Sequence, residues 1–468
     1  MAQFETFYRD LGPEFSAAAH PTALVAPRML GWNSDLAHHL GLDDMPAARA
    51  LALFSGSEIA DDTQPVAAAY AGHQFGNFVP VLGDGRAHLL GERVGKDGLI
   101  YDIQLKGSGQ TPFSRRGDGR AGLGPVLREY VISEAMHALG VPTTRALAAV
   151  VSQSDFVVRQ TPQPTAILTR VARSHIRVGS FQYFAARGQH DHLNSLLEFS
   201  AQRLALPTED PEAFLRAVMT RQMDLVTQWM SVGFVHGVMN TDNTAISGET
   251  IDFGPCAFLE EYDPLKVFSS IDHWGRYAFI RQKDIIFWNL SQLASALIPL
   301  MPQEQPAIER FTQILHDGMD QMEGRVHTMW ARKLNIDPHT TANDEDTLIT
   351  DLLEMLRAAH VDFTLGFASL EPNQAPLPEL LDHPDFAPLY AQLQARQDAH
   401  LRDAPVHKNP RRIPRNHVID EMITRSVAGD DALFHQVTDE LASPYSDAPT
   451  CLIPAPVERR IEQTFCGT

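Results

Sequence analysis

Cysteine is scarce in this chain: Cys256, Cys451 and Cys466 are the only three in 468 residues. That is too few for a disulfide framework and for a self-sufficient zinc site, so a reducing compartment is the expectation. Long apolar runs are also missing. ALAAVV (146–151) and LIPLM (297–301) are among the longest, far short of the roughly 20 residues a membrane-spanning helix needs. The first residues, MAQFETFYRDLGPEF, carry neither a basic nor an apolar leader segment, so no signal peptide is expected and a cytoplasmic location is. Positive charge is in the minority, with 38 Lys and Arg against 58 Asp and Glu, a net of −20. Phosphate backbones and anionic lipid repel such a body, which argues against nucleic-acid and membrane partners. There is no internal repeat, nucleophile elbow, zinc motif or dinucleotide fingerprint.

What is present reads as an ordinary folded protein, 44% hydrophobic and 21% charged, long enough for two or three structural units. Residues 1–60 read as an N-terminal extension of loops and short helices. Glycine concentrates between residues 72 and 124, and within that region 86–94 and 101–107 read as two strands split by the turn GKDG at 95–98. A helix is expected from Pro125 to Leu139, then strands at 146–151 and 165–171, making 61–170 a β-rich unit. Helix-period apolar residues mark 191–206, 211–231, 283–299, 304–333, 344–365 and 387–400. The exception within 171–400 is 234–254, read as loop, strand, turn, strand. The Pro- and Arg-rich tail 401–468 is expected to wrap the body.

Four elements follow the order used by phosphoryl-transfer kinases, so the expected fold is α+β, two-lobed and protein-kinase-like. Gly83-Asp84-Gly85-Arg86 stands at the mouth of a strand, where glycines let backbone N–H groups approach phosphate oxygens. Taken alone, the same residues would serve as a plain β-turn. Lys106 ends the next strand, a position suited to holding phosphates. The following helix offers it two carboxylates, Glu129 and Glu134, beside an apolar stripe of Leu127, Tyr130, Val131, Ala135 and Leu139. Periodicity does not choose between them. Then come His236-Gly-Val-Met-Asn-Thr-Asp242-Asn243 and Ile251-Asp252-Phe253-Gly254. A kinase catalytic loop, H-R-D-x-x-x-x-N, is followed by D-F-G. Counted from His236, Asn243 takes the place of the loop's Asn, while Val238 occupies the place of the base. Valine accepts no proton, so an intact metal clamp lacks its usual base, and Asp242 is the one carboxylate in the loop able to replace it.

Arginines gather oddly for an acidic chain. Arg115, Arg116 and Arg120 surround Gly117-Asp118-Gly119, and Arg170, Arg173 and Arg177 follow. Arg170 and Arg177 are two helical turns apart and would face one phosphate if that segment were helical. The His190-Asp191-His192 run reads as a solvated helix start, the Lys408–Arg415 string as internal contacts to acidic surface, and Trp229 and Trp274 as core.

The runs DIQLKGSGQTPFSRRGDGRA, SEAMHALGVPTTRAL, TRVARSHIRVGSF, HGVMNTDN and IDFGP resemble the selenoprotein O family of protein adenylyltransferases, most densely over residues 70–280. The resemblance implies a kinase-like fold that binds ATP flipped, so that AMP rather than phosphate passes to a Ser, Thr or Tyr hydroxyl of a protein. It further implies nucleotide contacts at Gly83, Gly85, Arg86, Lys106, Asp118 and Gly119. By the same resemblance Arg170 and Arg177 serve the inward-pointing phosphates and Asp242 is the proton acceptor. Asn243 and Asp252 are the implied metal ligands, for Mg2+ with Mn2+ as the alternative. Glu129 is the preferred partner of Lys106 and Glu134 the alternative. The terminal Cys466-Gly-Thr looks like the family's ending, with Cys466 where some members carry selenocysteine. A redox bridge from Cys466 to Cys256 is one reading of that ending, and a buried free thiol at Cys256 the other. A phosphotransferase and a nucleotide-binding scaffold remain the competing functions.

Overall fold

The computed structural model describes residues 4–60, 63–159, 161–207, 210–339, 347–402 and 404–465. Its first half is built on strands β1 (Ser16–Ala18), β2 (Pro27–Trp32), β3 (Val66–Ala68), β4 (Gly72–Gln74), β5 (Asn77–Val79), β6 (Ala87–Val94), β7 (Ile100–Lys106), β8 (Ala121–Gly122), β9 (Arg145–Val158) and β10 (Pro162–Ala172). The main sheet runs β1-β3-β6-β7-β10-β9-β2, with β8 paired to β10. Its pairings are antiparallel, and β4 with β5 forms a separate hairpin. Residues 1–60 are therefore more than loops and short helices: besides α1 (Ser34–His39) and α2 (Ala47–Phe54) they supply two strands of this sheet.

The central strands β7, β9 and β10 are dense in Ile, Leu, Val and Ala. Both faces of the sheet are covered: Leu147, Val150 and Ile167 pack under α1 and α2, while Ala149, Val151 and Leu168 pack under α3 (Leu123–Ala138). On α3, Leu127, Tyr130, Val131 and Ala135 are buried as the stripe predicts. Part of their cover comes from far along the chain. Val418, Ile419 and Met422 of one tail helix and Phe434 and Val437 of the next close over α3, each buried side chain contributing about 1.5–3 kcal/mol.

The second half is helical: α4 (Val178–Ala185), α5 (His190–Leu204), α6 (Pro211–Ser231), α7 (Gln282–Leu297), α8 (Glu304–Lys333), α9 (Leu348–Ala358), α10 (Phe363–Ser369), α11 (Pro378–Leu381) and α12 (Phe386–His400). The expected single helix over 344–365 is two, because the chain turns at His360 with φ 51° and Asp362 caps a new helix through Leu365 N; residues 344–346 lie outside the described set. In 234–254 only β11 (Phe234–Val235) is a strand, and its partner is β12 (Ala257–Phe258) rather than 250–254. The tail carries α13 (Asn416–Val427) and α14 (Ala432–Leu441). Two of its arginines turn inward: Arg411 pairs with Glu371, and fully buried Arg415 with Glu260 and Asp362. Among the described residues no helix is long and apolar enough to cross a membrane.

Candidate active site

The strand β7 delivers Lys106 to the seam between the two halves, and α3 lies across it. Lys106 Nζ donates to Glu129 Oε2 and, at 2.8 Å, to Asp252 Oδ1. Glu134, one turn further along α3, faces elsewhere: it accepts from Arg145 Nη2 at 2.7 Å and Ala146 N at 2.8 Å, holding the start of β9. Asp252 sits at φ 68°, a left-handed conformation that non-glycine residues adopt mainly where surrounding structure enforces it. Burial alone would raise its carboxyl, but Lys106 and Arg86 hold it far below the carboxylate range, so it is ionised.

The catalytic-loop residues are braced from behind. Buried His236 receives the Val238 N–H on Nδ1 at 3.3 Å, so Nε2 carries the proton and donates to Ile251 O at 2.9 Å, next to Asp252. Val238 contributes main-chain groups alone, and its carbonyl accepts from Asn243 Nδ2 at 3.1 Å. The same Nδ2 lies 3.3 Å from Asp252 Oδ2, and half a turn of that amide would present its oxygen instead. An ionised carboxylate beside an amide carbonyl fits a hard divalent cation whose remaining ligands are phosphate and water.

Asp242 is buried, its Oδ1 has no partner, and Oδ2 meets only Gln74 Nε2 at 3.5 Å. Burial pushes its carboxyl up to about 6 despite the pull of Arg177. A desolvated, under-bonded carboxylate is poised to take a proton.

Arg170 and Arg177 do not share a helix. Arg170 lies on β10, where the alternating Thr-Ala-Ile-Leu-Thr-Arg-Val run pairs with β7, and Arg177 is the N-cap of α4. A polar relay nevertheless joins them. Arg170 Nη2 donates to Gln104 Oε1 at 2.6 Å, Gln104 Nε2 to Asp84 Oδ2 at 2.9 Å, and Arg177 Nη2 to Asp84 Oδ1 at 3.3 Å. Arg170 also meets Glu129 at 3.2 Å. Both guanidiniums are buried behind the cavity walls.

Two chambers meet at Arg86, which lines both. The inner one, about 150 Å³, is walled by Lys106, Arg128, Glu129, Asp252 and, from the tail, Phe465. The outer one, about 570 Å³, is walled by Tyr70, Gly83, Gly85, Phe113, Asp118 and Gly119. Gly83 has φ 66°, and a Cβ there would fall 2.2 Å from the Phe113 ring, so only glycine closes this wall. Asp118 is exposed and holds Arg159 at 2.7 Å.

Sequence reasoning missed Asp84, Gln104, Gln74 and Phe465. Asp84 stood inside the quoted glycine motif and was its only available signal. Trp229 is core, as expected, whereas Trp274 is 89% exposed. His190 opens α5, and no cluster of metal-ligating side chains is found among the described residues. Cys256 is buried and its thiol pushed up to about 12 by burial, while Cys466 lies outside the described residues.

A family model described as protein adenylyltransferase SelO matches residues 1–441. The chain is 48% identical to the protein nucleotidyltransferase YdiU of Roseobacter denitrificans over 471 residues, covering 100% of this chain and 99% of that one. It is 47% identical to the YdiU of Agrobacterium fabrum over 491 residues, covering 100% of both. Among solved structures, ROP2 from Toxoplasma gondii aligns at 11% identity and a TM-score of 0.24, over 71% of this chain and 87% of that one. With a strand lysine bonded to a helix glutamate, a kinase-like loop with valine in the usual place of the base, and full-length relatives of one kind, the chain belongs to the SelO family of protein adenylyltransferases.

Proposed function

We propose that this adenylyltransferase takes ATP with its triphosphate directed inward and passes AMP to a Ser, Thr or Tyr hydroxyl of a protein acceptor. The convergence of Lys106 and Arg86 on the inner chamber beside the ionised Asp252, with a second chamber opening from Arg86, carries this reading. An inner space lined by Lys106, Arg86 and Arg128 suits terminal phosphates. The outer space of about 570 Å³, with Tyr70 and Phe113 in its wall, has room for the nucleoside. An ATP spanning the two places its α-phosphate at their junction.

In this reading Gly83 and Gly85 let the backbone approach the nucleotide, and Asp118 and Gly119 border the nucleoside end. Lys106 and Arg86 bind phosphate oxygens. Arg170 and Arg177 supply positive potential from behind the wall, and Glu129 keeps Lys106 aimed. Asn243 and Asp252 would hold Mg2+ or Mn2+, which supplies charge neutralisation of the phosphates. Asp242 accepts the proton as the acceptor oxygen bonds the α-phosphorus, the α–β phosphoanhydride bond breaks, and pyrophosphate leaves. Three cysteines in 468 residues suit the reducing cytoplasm, and a net charge of −20 suits a protein acceptor better than nucleic acid or membrane.

The test supplies α-labelled and γ-labelled ATP, with magnesium or manganese, to the enzyme and a protein acceptor. Label entering protein from the α-position alone is expected. Transfer from the γ-position alone would make the protein a phosphotransferase, and transfer from neither would leave a scaffold.

A further inference from the structure

Trp274, exposed by 89%, is unlike the other aromatic residues around the site. It does not sit on a loose loop. The Asp272 carboxylate accepts from Arg276 N at 2.9 Å and Tyr277 N at 2.7 Å, and Arg281 Nη1 donates to Gly275 O at 3.2 Å. The indole is thus held out into water by a braced turn, with Ile271 (47% exposed) on the same turn. Presenting that much apolar surface on a rigid turn is unfavourable unless something covers it.

The same turn carries a cation without a counterion. Arg276 forms no ion pair among the described residues, and its Nε has no hydrogen-bond partner. Its guanidinium lies 4.7 Å from the Trp288 ring centroid, which orients it without neutralising it.

Contacts run from this turn to Asp242 without a gap. The Trp288 ring is 5.2 Å from that of His73 on the β4–β5 hairpin, whose N–H donates to Thr241 Oγ1 at 2.7 Å. Gln74 of that hairpin touches Asp242, and Tyr277 Oη donates to Asn240 Oδ1 at 2.8 Å. On the hairpin's other strand Phe78 is 40% exposed and 5.0 Å from the His73 ring.

We infer that the 271–277 turn and the β4–β5 hairpin form the acceptor-docking surface, with Trp274 covering an aromatic or large apolar side chain and Arg276 pairing with an acidic one near the modified hydroxyl. The inference rests on Asp242 being the proton acceptor. The occupant is a protein segment because the transferred group must reach a protein, and its charge follows from the uncompensated Arg276.

The test uses synthetic peptides with a single Ser, Thr or Tyr, flanked on both sides by Glu and Phe in one set and by Lys and Gly in the other. With α-labelled ATP, the full-length wild type should favour the Glu/Phe set about tenfold in kcat/KM. Trp274→Ala, a surface change that leaves the core intact, should raise the peptide KM and leave kcat, the KM for ATP and self-labelling unchanged. Arg276→Glu should shift preference toward the Lys set. Equal use of both sets by the wild type, an unchanged peptide KM in Trp274→Ala, or self-labelling with no peptide labelled would each overturn the proposal. So would a wild-type dimer in sedimentation that Trp274→Ala dissociates with the peptide KM unmoved, since a second copy then covers the surface. Label entering peptide from γ-labelled ATP instead would overturn the adenylyl reading, while flank preference would still be read from it.

Discussion

Arg177 Nη1 donates to the main-chain carbonyl of Asp242 at 2.9 Å. The N-cap of one helix thereby holds the backbone of the loop that carries Asp242, while its other nitrogen reaches Asp84 beneath the glycine-rich turn. A single buried guanidinium ties the glycine-rich turn to the 236–243 loop.

Arg177→Met should therefore cost stability as well as positive potential behind the site wall. Removing one member of a buried pair leaves the Asp84 carboxylate uncompensated, at a cost of about 3–5 kcal/mol in chemical denaturation. The double variant Arg177→Met, Asp84→Asn should recover part of that stability, and AMP transfer should stay low in both.

Asp242→Asn preserves shape and removes the proposed proton acceptor. AMP transfer should fall by about 10²–10⁴-fold. Nucleotide affinity, followed by titration with a fluorescent ATP analogue, should change little. An equal loss of binding and transfer would mean that Asp242 holds nucleotide instead.

The two glutamates of α3 should separate cleanly. Glu129→Gln weakens a charge-assisted bond to Lys106 and should raise the KM for ATP about tenfold. Glu134→Gln, which faces Arg145 and Ala146, should lower the melting temperature and leave that KM alone.

Glu92 supplies a pH-dependent test of the fold. It is buried beneath Tyr8, whose N–H it accepts at 2.7 Å, and its Oε2 has no partner. Burial, and then the neighbouring Asp102 carboxylate, push its pKa from 4.5 up to about 8. Between those values the folded chain holds a proton that the unfolded chain releases, so stability falls as pH rises through the window and levels off above it. Glu92→Gln should flatten the decline measured by denaturation from pH 5 to pH 9.

Much of the site was legible because its spacing is local. His236, Asn243 and Asp252-Phe-Gly are a few residues apart, so their order along the chain is nearly their order in space. Lys106 was legible because the alternation of β7 ends on it, and α6 and α8 carry uninterrupted helical periods with recognisable ends. The unaided valine at 238 already announced a loop without its usual base.

Tertiary packing decided the rest. Glu129 and Glu134 stand on one helix, and which of them meets Lys106 depends on how α3 is rotated against β7. Periodicity within α3 does not encode that rotation. Arg170 and Arg177 come together through Gln104 and Asp84, residues from two other strands and turns. The helical spacing that would put both on one face does not apply, because Arg170 lies on a strand paired with β7. Trp274 sits in a stretch that reads as core, yet bonds from Asp272 and Arg281 hold its turn outward. The sequence by itself determined that a β-rich part precedes a helical one and fixed the order of the motifs, because local spacing and alternation are properties of neighbouring residues. Only the tertiary structure decided which charges meet and which apolar group faces water, because those depend on contacts among residues far apart in the chain.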